Sequence, residues 1–109
     1  MLNPGSRTLA SRALTGAIAG EAQTAFDDLA GIIAATIECQ FQWGSGGTTA
    51  KVWVQTSLDL GQTWIDVACF AFTTASATKV INLSGLTPVT TAITPSDGAM
   101  ADNTYQDGV

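Results

Sequence analysis

The sequence predicts a mainly β protein: a small antiparallel β-sandwich of jelly-roll type with a helical N-terminal arm. Apolar and polar residues alternate from Ile37 onward, and runs of turn-forming residues separate the alternating stretches. Before position 34, apolar residues instead recur at helical spacing. We therefore divide the 109-residue chain into an arm, residues 1–33, and a sandwich domain, residues 34–109, which is loop-rich from residue 86 onward.

The arm contains two short apolar stripes separated by Gly20. Leu14 and Ile18 lie on one stripe, and Phe26 and Leu29 lie on the other. Both stripes are thin and alanine-rich, and helices of this kind are marginal in water when they stand alone. We therefore expect these four side chains to dock the arm on the domain that follows or on another chain.

The β domain begins with a half-buried strand from Ile37 to Trp43, whose odd-numbered residues form the apolar face. Residues 64–72 carry apolar side chains on both faces, which indicates a central strand covered on both sides or a strand at a subunit contact. The same patterns predict further strands at residues 51–55 and 79–83, and a strand fragment at residues 92–94.

A motif of fixed spacing lies between two of these strands. Ser57-Leu-Asp59-Leu-Gly61-Gln-Thr63-Trp64 has the Ser-x-Asp-x-Gly-x-Thr-Trp pattern of an Asp box, a hairpin turn closed by its own side chains. We expect Asp59 to accept hydrogen bonds from turn amides, Gly61 to take a positive φ, and Ser57 to bond locally. The Trp64 ring is expected to pack beneath the turn. The motif specifies a hairpin rather than a chemistry.

Composition and charge narrow the possible functions. Only 12% of residues are charged and the net charge is −5, which argues against nucleic-acid binding because that requires a basic surface. The chain has no histidine, the commonest general base and metal ligand. It also has no apolar run long enough to span a membrane. We expect no catalytic site, metal, cofactor or membrane partner.

The acidic residues do not suggest a site. Asp97, Asp102 and Asp107 are spaced by five, which is too loose for a calcium cage, so we interpret them as solvated turn residues, with weak calcium binding as a remote alternative. Asp66 is expected to pair with Lys51 or Lys79 across neighbouring strands.

The sequence allows two interpretations of the cysteine pair and two of Trp53. Cys39 and Cys69 either act as small buried hydrophobes or form a disulfide between neighbouring strands, which would need close Cα approach. Trp53 shares its face with Lys51 and Gln55, so it is the candidate for an exposed platform that stacks on a glycan. A tryptophan in the core or at an interface is the other interpretation.

The Asp box is best known from sialidases and related β-propellers, and the chain resembles them in this motif alone. A propeller needs at least four blades, whereas this sequence has no internal repeat and no matching arginine cluster. We therefore expect no sialidase activity.

A second resemblance covers residues 35–109. Residues 43–51, 57–72 and 82–88 resemble small proteins of tailed bacteriophages and prophages that are encoded among head and neck genes. This resemblance implies a structural protein located in the virion, as a capsid-associated, neck or tail component. Its partners would be other virion proteins and copies of itself. The alternative is a glycan-binding module that uses Trp53 on a host surface.

Overall fold

The computed structural model describes most of the chain and divides it into two compact units, residues 1–31 and residues 32–109. The second unit contains all five strands found among the described residues, and all of their pairings are antiparallel. The prediction of a mainly β protein is therefore confirmed. The described residues are 8–14, 16, 18, 20–25, 34–86 and 88–107.

The five strands form two sheets. Strand β1 (Ala34–Phe41) pairs with β4 (Ala77–Ser84) over eight residues without a register shift. The second sheet contains β2 (Ala50–Thr56), β3 (Ile65–Phe72) and β5 (Thr104–Tyr105). These strands lie in the order β2-β3-β5.

Strand β3 is the central and most deeply buried strand. Seven of its eight residues are buried, which confirms the prediction made from its two apolar faces. Ala68, Phe70 and Phe72 form the core cluster on one face. Phe72 stacks on Phe41 of the other sheet, with ring centroids 5.0 Å apart. Each of the two buried phenylalanines of β3 contributes roughly 2–3 kcal/mol through removal of its surface from water.

The two sheets share this core. Half-buried side chains of β1 and β4 pack against the β3 cluster together with two residues of β2: Ile37, Cys39, Phe41, Ala50, Val54, Ala77 and Ile81. Trp43, which the alternating pattern assigned to the apolar face, instead lies beyond the end of β1 and is 39% exposed. Residues 92–94 do not form the expected strand fragment.

The helical prediction for the arm is wrong for the residues of this segment that the structure describes. Residues 8–14, 16, 18 and 20–25 contain no helix. The stripes are too thin and alanine-rich to repay helix nucleation. Gly20, which separates the two stripes, takes a positive φ of 65°. Leu14 and Ile18 are about half exposed, at 50% and 48%. Phe26 and Leu29 lie outside the described residues.

Arg12 and Glu21 form an ion pair within this segment, with 2.6 Å between Nε and Oε1. Both side chains are exposed, so the pair adds little to stability. Among the described residues, no helix is long and apolar enough to cross a membrane.

Candidate functional site

The turn between β2 and β3 is closed by two side chains. Asp59 Oδ1 accepts hydrogen bonds from the amides of Gln62 and Thr63, at 3.1 and 2.7 Å. Ser57 Oγ donates to Asp59 Oδ1 at 2.8 Å and accepts from the Gly61 amide at 2.8 Å. These bonds, led by the one from the Thr63 amide, lower the pKa of Asp59. The aspartate is therefore ionised at neutral pH, and the hydrogen bonds that it accepts from the turn amides close the turn.

Two consecutive residues at the tip of this turn have positive φ angles. Gly61, at 88°, takes a conformation that suits glycine, and a Cβ added to it would lie 3.5 Å from Trp64 Cζ2. Leu60, at 60°, takes the left-handed conformation that an L-residue adopts only at a cost of roughly 1–2 kcal/mol. The structure thus brings together Ser57, Asp59, Gly61, Thr63 and Trp64, and the half-buried Trp64 ring lies against Gly61.

The tip also carries exposed apolar side chains. Leu58 is 77% exposed and Leu60 is 101% exposed, so the two residues that flank Asp59 project into solvent. Leu60 combines full exposure with an unfavourable backbone conformation. Neither property benefits the isolated fold, which makes this tip a candidate for contact with another molecule.

A second aspartate site, not anticipated from the sequence, lies at the start of β3. Asp66 is fully buried. Its carboxylate accepts hydrogen bonds from the amides of Gly98, Ala99 and Met100 at 2.9, 2.8 and 3.1 Å. Gln55 Nε2 and Ser96 Oγ donate to it as well, at 2.8 and 3.1 Å. Five donors therefore surround one buried carboxylate.

These donors determine the ionisation of Asp66. Burial alone would raise its pKa, but the bonds from Gly98, Gln55, Ala99 and Met100 outweigh that effect and lower the pKa to about 2. The charge is satisfied by amides and neutral side chains rather than by a cation. The expected pairing of Asp66 with Lys51 or Lys79 is therefore wrong, because the loop around residues 96–100 occupies its acceptor positions.

Lys51 and Lys79 instead bind groups other than Asp66. Lys51 Nζ lies 2.9 Å from Asp102 Oδ1. Lys79 Nζ donates to the carbonyl of Ala71 at 2.6 Å and to Asn103 Oδ1 at 2.9 Å, and it lies 5.1 Å from the centre of the Phe72 ring. Lys79 of β4 is thus linked to the β2-β3-β5 sheet and to the C-terminal segment.

The C-terminal segment, residues 96–107, runs along β3 and bonds to it repeatedly. The Asp66 amide donates to the Ser96 carbonyl at 2.8 Å, and the Gln106 amide donates to the Val67 carbonyl at 3.0 Å. Asp107 Oδ1 accepts from the Ser84 amide of β4 at 2.9 Å.

The three C-terminal aspartates therefore do not act merely as solvated turn residues. Asp97 accepts from Gln55 at 2.7 Å, Asp102 pairs with Lys51, and Asp107 holds the end of β4. A segment with no periodic pattern is held by hydrogen bonds instead of an apolar face.

The cysteines are both free thiols. Cys69 is buried, and Cys39 is half-buried and packs on the core cluster. Burial raises the pKa of both thiols, which keeps them protonated and unreactive at neutral pH. Of the two alternatives, the structure supports small hydrophobic residues rather than a disulfide.

Trp53 lies in the middle of β2, opposite Cys69 and outside the closed turn. Its ring is half-buried, and its Nε1 is inaccessible to solvent without a hydrogen-bond partner. A residue that stacks on a sugar presents an open ring face, so this placement favours a packed tryptophan over a glycan platform.

Within the described part of the chain, no group of three or more His, Cys, Asp or Glu side chains could hold a metal ion. Comparison of the chain with family models, with curated proteins and with solved structures found no match.

The sequence did contain one signal for the Asp66 site. Asp66 lies between Ile65 and Val67 in a strand that is apolar on both faces, and a charge buried there requires several hydrogen-bond donors. Nothing in the sequence identified four of the five donors, because they lie 30 to 34 residues away in the unpatterned C-terminal segment.

Proposed function

We propose that the protein is a structural component of a tailed-phage virion, capsid-associated or in the neck or tail. In this role it acts without catalysis, through contacts with copies of itself and with other virion proteins. We further propose that its two sheets form a jelly-roll-like sandwich and that the turn at residues 57–64 is an Asp box.

One observation carries this proposal: the exposed leucines at the tip of the closed turn. Leu58 and Leu60 are 77% and 101% exposed, on a turn whose backbone is held by Ser57 and Asp59. A pre-ordered turn loses little conformational entropy when it docks, so its apolar side chains contribute more fully to binding. This is the kind of feature that a subunit uses to insert into a neighbour.

The remaining surface supports a protein that works in an assembly. Charged residues are few, and single apolar side chains are exposed elsewhere, as at Val80 and Tyr105, which are 54% and 53% exposed. Each such contact is weak by itself. Repetition in a symmetric assembly makes weak contacts sufficient, because the second and later contacts form at high effective concentration.

The virion assignment is tested by particle composition. Phage particles would be induced from the strain that encodes the chain, purified by density-gradient centrifugation and analysed by quantitative mass spectrometry. We expect the chain in the particles, at a copy number that fits a ring or capsid symmetry. Its recovery in the soluble fraction alone, with intact particles lacking it, would contradict the proposal.

The contact role of the tip is tested with the double variant Leu58→Ser/Leu60→Ser. Both side chains lie outside the core, so the variant should fold normally while its incorporation into particles falls. Leu86→Ser is the matched control, because it removes an exposed leucine outside the turn. Equal incorporation of the double variant, the control and the wild type would show that the tip makes no assembly contact.

A further inference from the structure

The outer edge of β1 is a sheet edge with unpaired backbone groups. Strand β1 pairs with β4 on one side, and no strand pairs with its other side anywhere in residues 34–86 and 88–107. The described backbone hydrogen bonds outside the strand ladders do not involve β1 either. A strand of eight residues therefore presents a row of amide and carbonyl groups that an extended chain can bond.

Apart from Glu38, the strand's one charged residue, this edge lacks the features that normally block pairing. The exposed edge of β2 is interrupted by a register shift between Val54 and Gln55 and carries Lys51. Strand β1 has no register shift, no proline and no lysine along its eight residues. Monomeric proteins usually protect a free edge with such features, so an unprotected, regular edge indicates a pairing surface.

The side chains of β1 are also incompletely covered. Ile37, Cys39 and Phe41 face the core but remain half-exposed, whereas Phe70 and Phe72 of β3 are only 2% and 4% exposed. A further strand beside β1 would extend the sheet and bring its own apolar side chains next to these three. The core is thus open along the same edge that has unpaired backbone groups.

The charge pattern of β1 matches a second copy of itself. In an antiparallel pair of β1 strands centred on Cys39, Glu38 faces Gln40 of the partner subunit, and Ile37 faces Phe41 of the partner subunit. Gln40 Nε2 already donates to Glu38 Oε1 within one chain, at 2.6 Å, so these two side chains are suited to bond each other. In this register no carboxylate opposes another.

We propose that β1 is a self-association edge, where two copies of the chain pair antiparallel to form a continuous four-stranded sheet, β4-β1-β1-β4. This inference depends on the proposed function, since it names one of the contacts between subunits. The exposed tip of residues 57–64 lies on a separate turn and remains available for a different contact. A twofold contact and a second, distinct contact together suffice to build an extended assembly.

The test is sedimentation velocity of the full chain over a concentration series, with charge variants on the outward face of β1. Gln40→Glu places a carboxylate opposite Glu38 of the partner subunit twice per dimer, which should raise the dimer Kd about tenfold. The double variant Glu38→Lys/Gln40→Glu restores opposite charges across the interface, so its Kd should return to within about threefold of the wild type. Such a rescue also shows that the charge variants remain folded.

Thr78→Glu is the matched control. Thr78 lies opposite Gln40 in the β1–β4 register and is exposed. The variant therefore adds the same negative charge as Gln40→Glu, but on β4 rather than on the pairing strand β1. Its Kd should stay near the wild-type value. A wild-type chain that is monomeric at every concentration would overturn the pairing, whereas absence of the chain from purified particles is the result that overturns the proposed function. Wild-type association that Gln40→Glu and Thr78→Glu affect equally would overturn the β1 pairing alone.

Discussion

Two aspartates seven residues apart perform the same chemistry in opposite settings. Asp59 accepts amides from its own turn, at most four residues away, and is exposed. Asp66 accepts amides from residues 98–100 and is fully buried. The first closes a local loop, whereas the second attaches a distant segment to the central strand.

Burial changes how much stability is lost when the same kind of hydrogen bond is broken. Water can replace the partners of Asp59 if its turn opens, so the loss of its bonds is partly compensated. The Asp66 carboxylate itself has no access to water, although the residues that donate to it are exposed or half-buried, so opening its bonds leaves a buried charge without partners. The two sites should therefore differ in how strongly the whole domain depends on them.

The largest expected effect is that of Asp66→Asn. The amide would direct its own N–H groups at donors that now bond the carboxylate, so we expect a loss of about 3 kcal/mol or more in the free energy of unfolding. Urea denaturation followed by tryptophan fluorescence measures this loss. Asp97→Asn, at an exposed carboxylate that shares the Gln55 donor, is the control and should cost far less. Similar losses in both variants would refute the special role of Asp66.

The stability of the domain should also depend on pH through Asp66. Asp66 has a pKa of about 2 when folded and an ordinary value of 3.8, so the folded state releases this proton more readily. The stabilisation is complete above about pH 4 and is lost as the pH falls through 2, by about 2 kcal/mol in total. Unfolding measured from pH 6 to pH 2 should show this loss in the wild type. The Asp66→Asn variant still contains Asp59 but has no carboxylate at position 66. It should therefore not show the part of the stability loss that comes from protonation of Asp66.

A smaller effect is expected for Asp59→Ala. Two amides of the turn lose their acceptor but can bond water, so the melting temperature should fall by about 5 °C, as for the loss of a helix cap. Calorimetry measures this shift, and amide exchange at Gln62 and Thr63 should accelerate at the same time. An unchanged melting temperature with unchanged exchange would show that Asp59 does not hold the turn.

The smallest effect is expected for Leu60→Gly. Glycine adopts a φ of 60° without strain, and the lost side chain makes no core contact, so thermal stability should stay equal or rise slightly. Incorporation into particles should fall at the same time if Leu60 contacts a neighbour. A clear drop in melting temperature would show instead that Leu60 stabilises the isolated domain.

Sequence reasoning found the elements that depend on local pattern. The alternating runs indicated the four long strands to within a few residues, and the apolar faces of residues 64–72 indicated the central strand. These signals come from burial, which acts directly on the residues that carry it. The spacing from Ser57 to Trp64 likewise lies within one turn.

Features that depend on distant partners were not predictable in this way. Four of the five donors to Asp66 lie in a segment without periodicity, and Lys79 binds Asn103 across 24 residues. In the arm, helical spacing misled for residues 8–14, 16, 18 and 20–25, because a thin apolar stripe predicts a helix only where a surface covers it. Periodicity in the sequence predicts which residues are buried, but it does not identify the segment that buries them.

Native-state hydrogen exchange, measured by NMR on the wild-type chain, tests the contrast between the two aspartates most directly. We predict that the amides of Gly98, Ala99 and Met100 exchange only through global unfolding, with protection that equals the full unfolding free energy. The amides of Gln62 and Thr63 should exchange faster, through local opening of the turn. Fast exchange at residues 98–100 with slow exchange at residues 62–63 would contradict the conclusion that Asp66, rather than Asp59, holds the domain together.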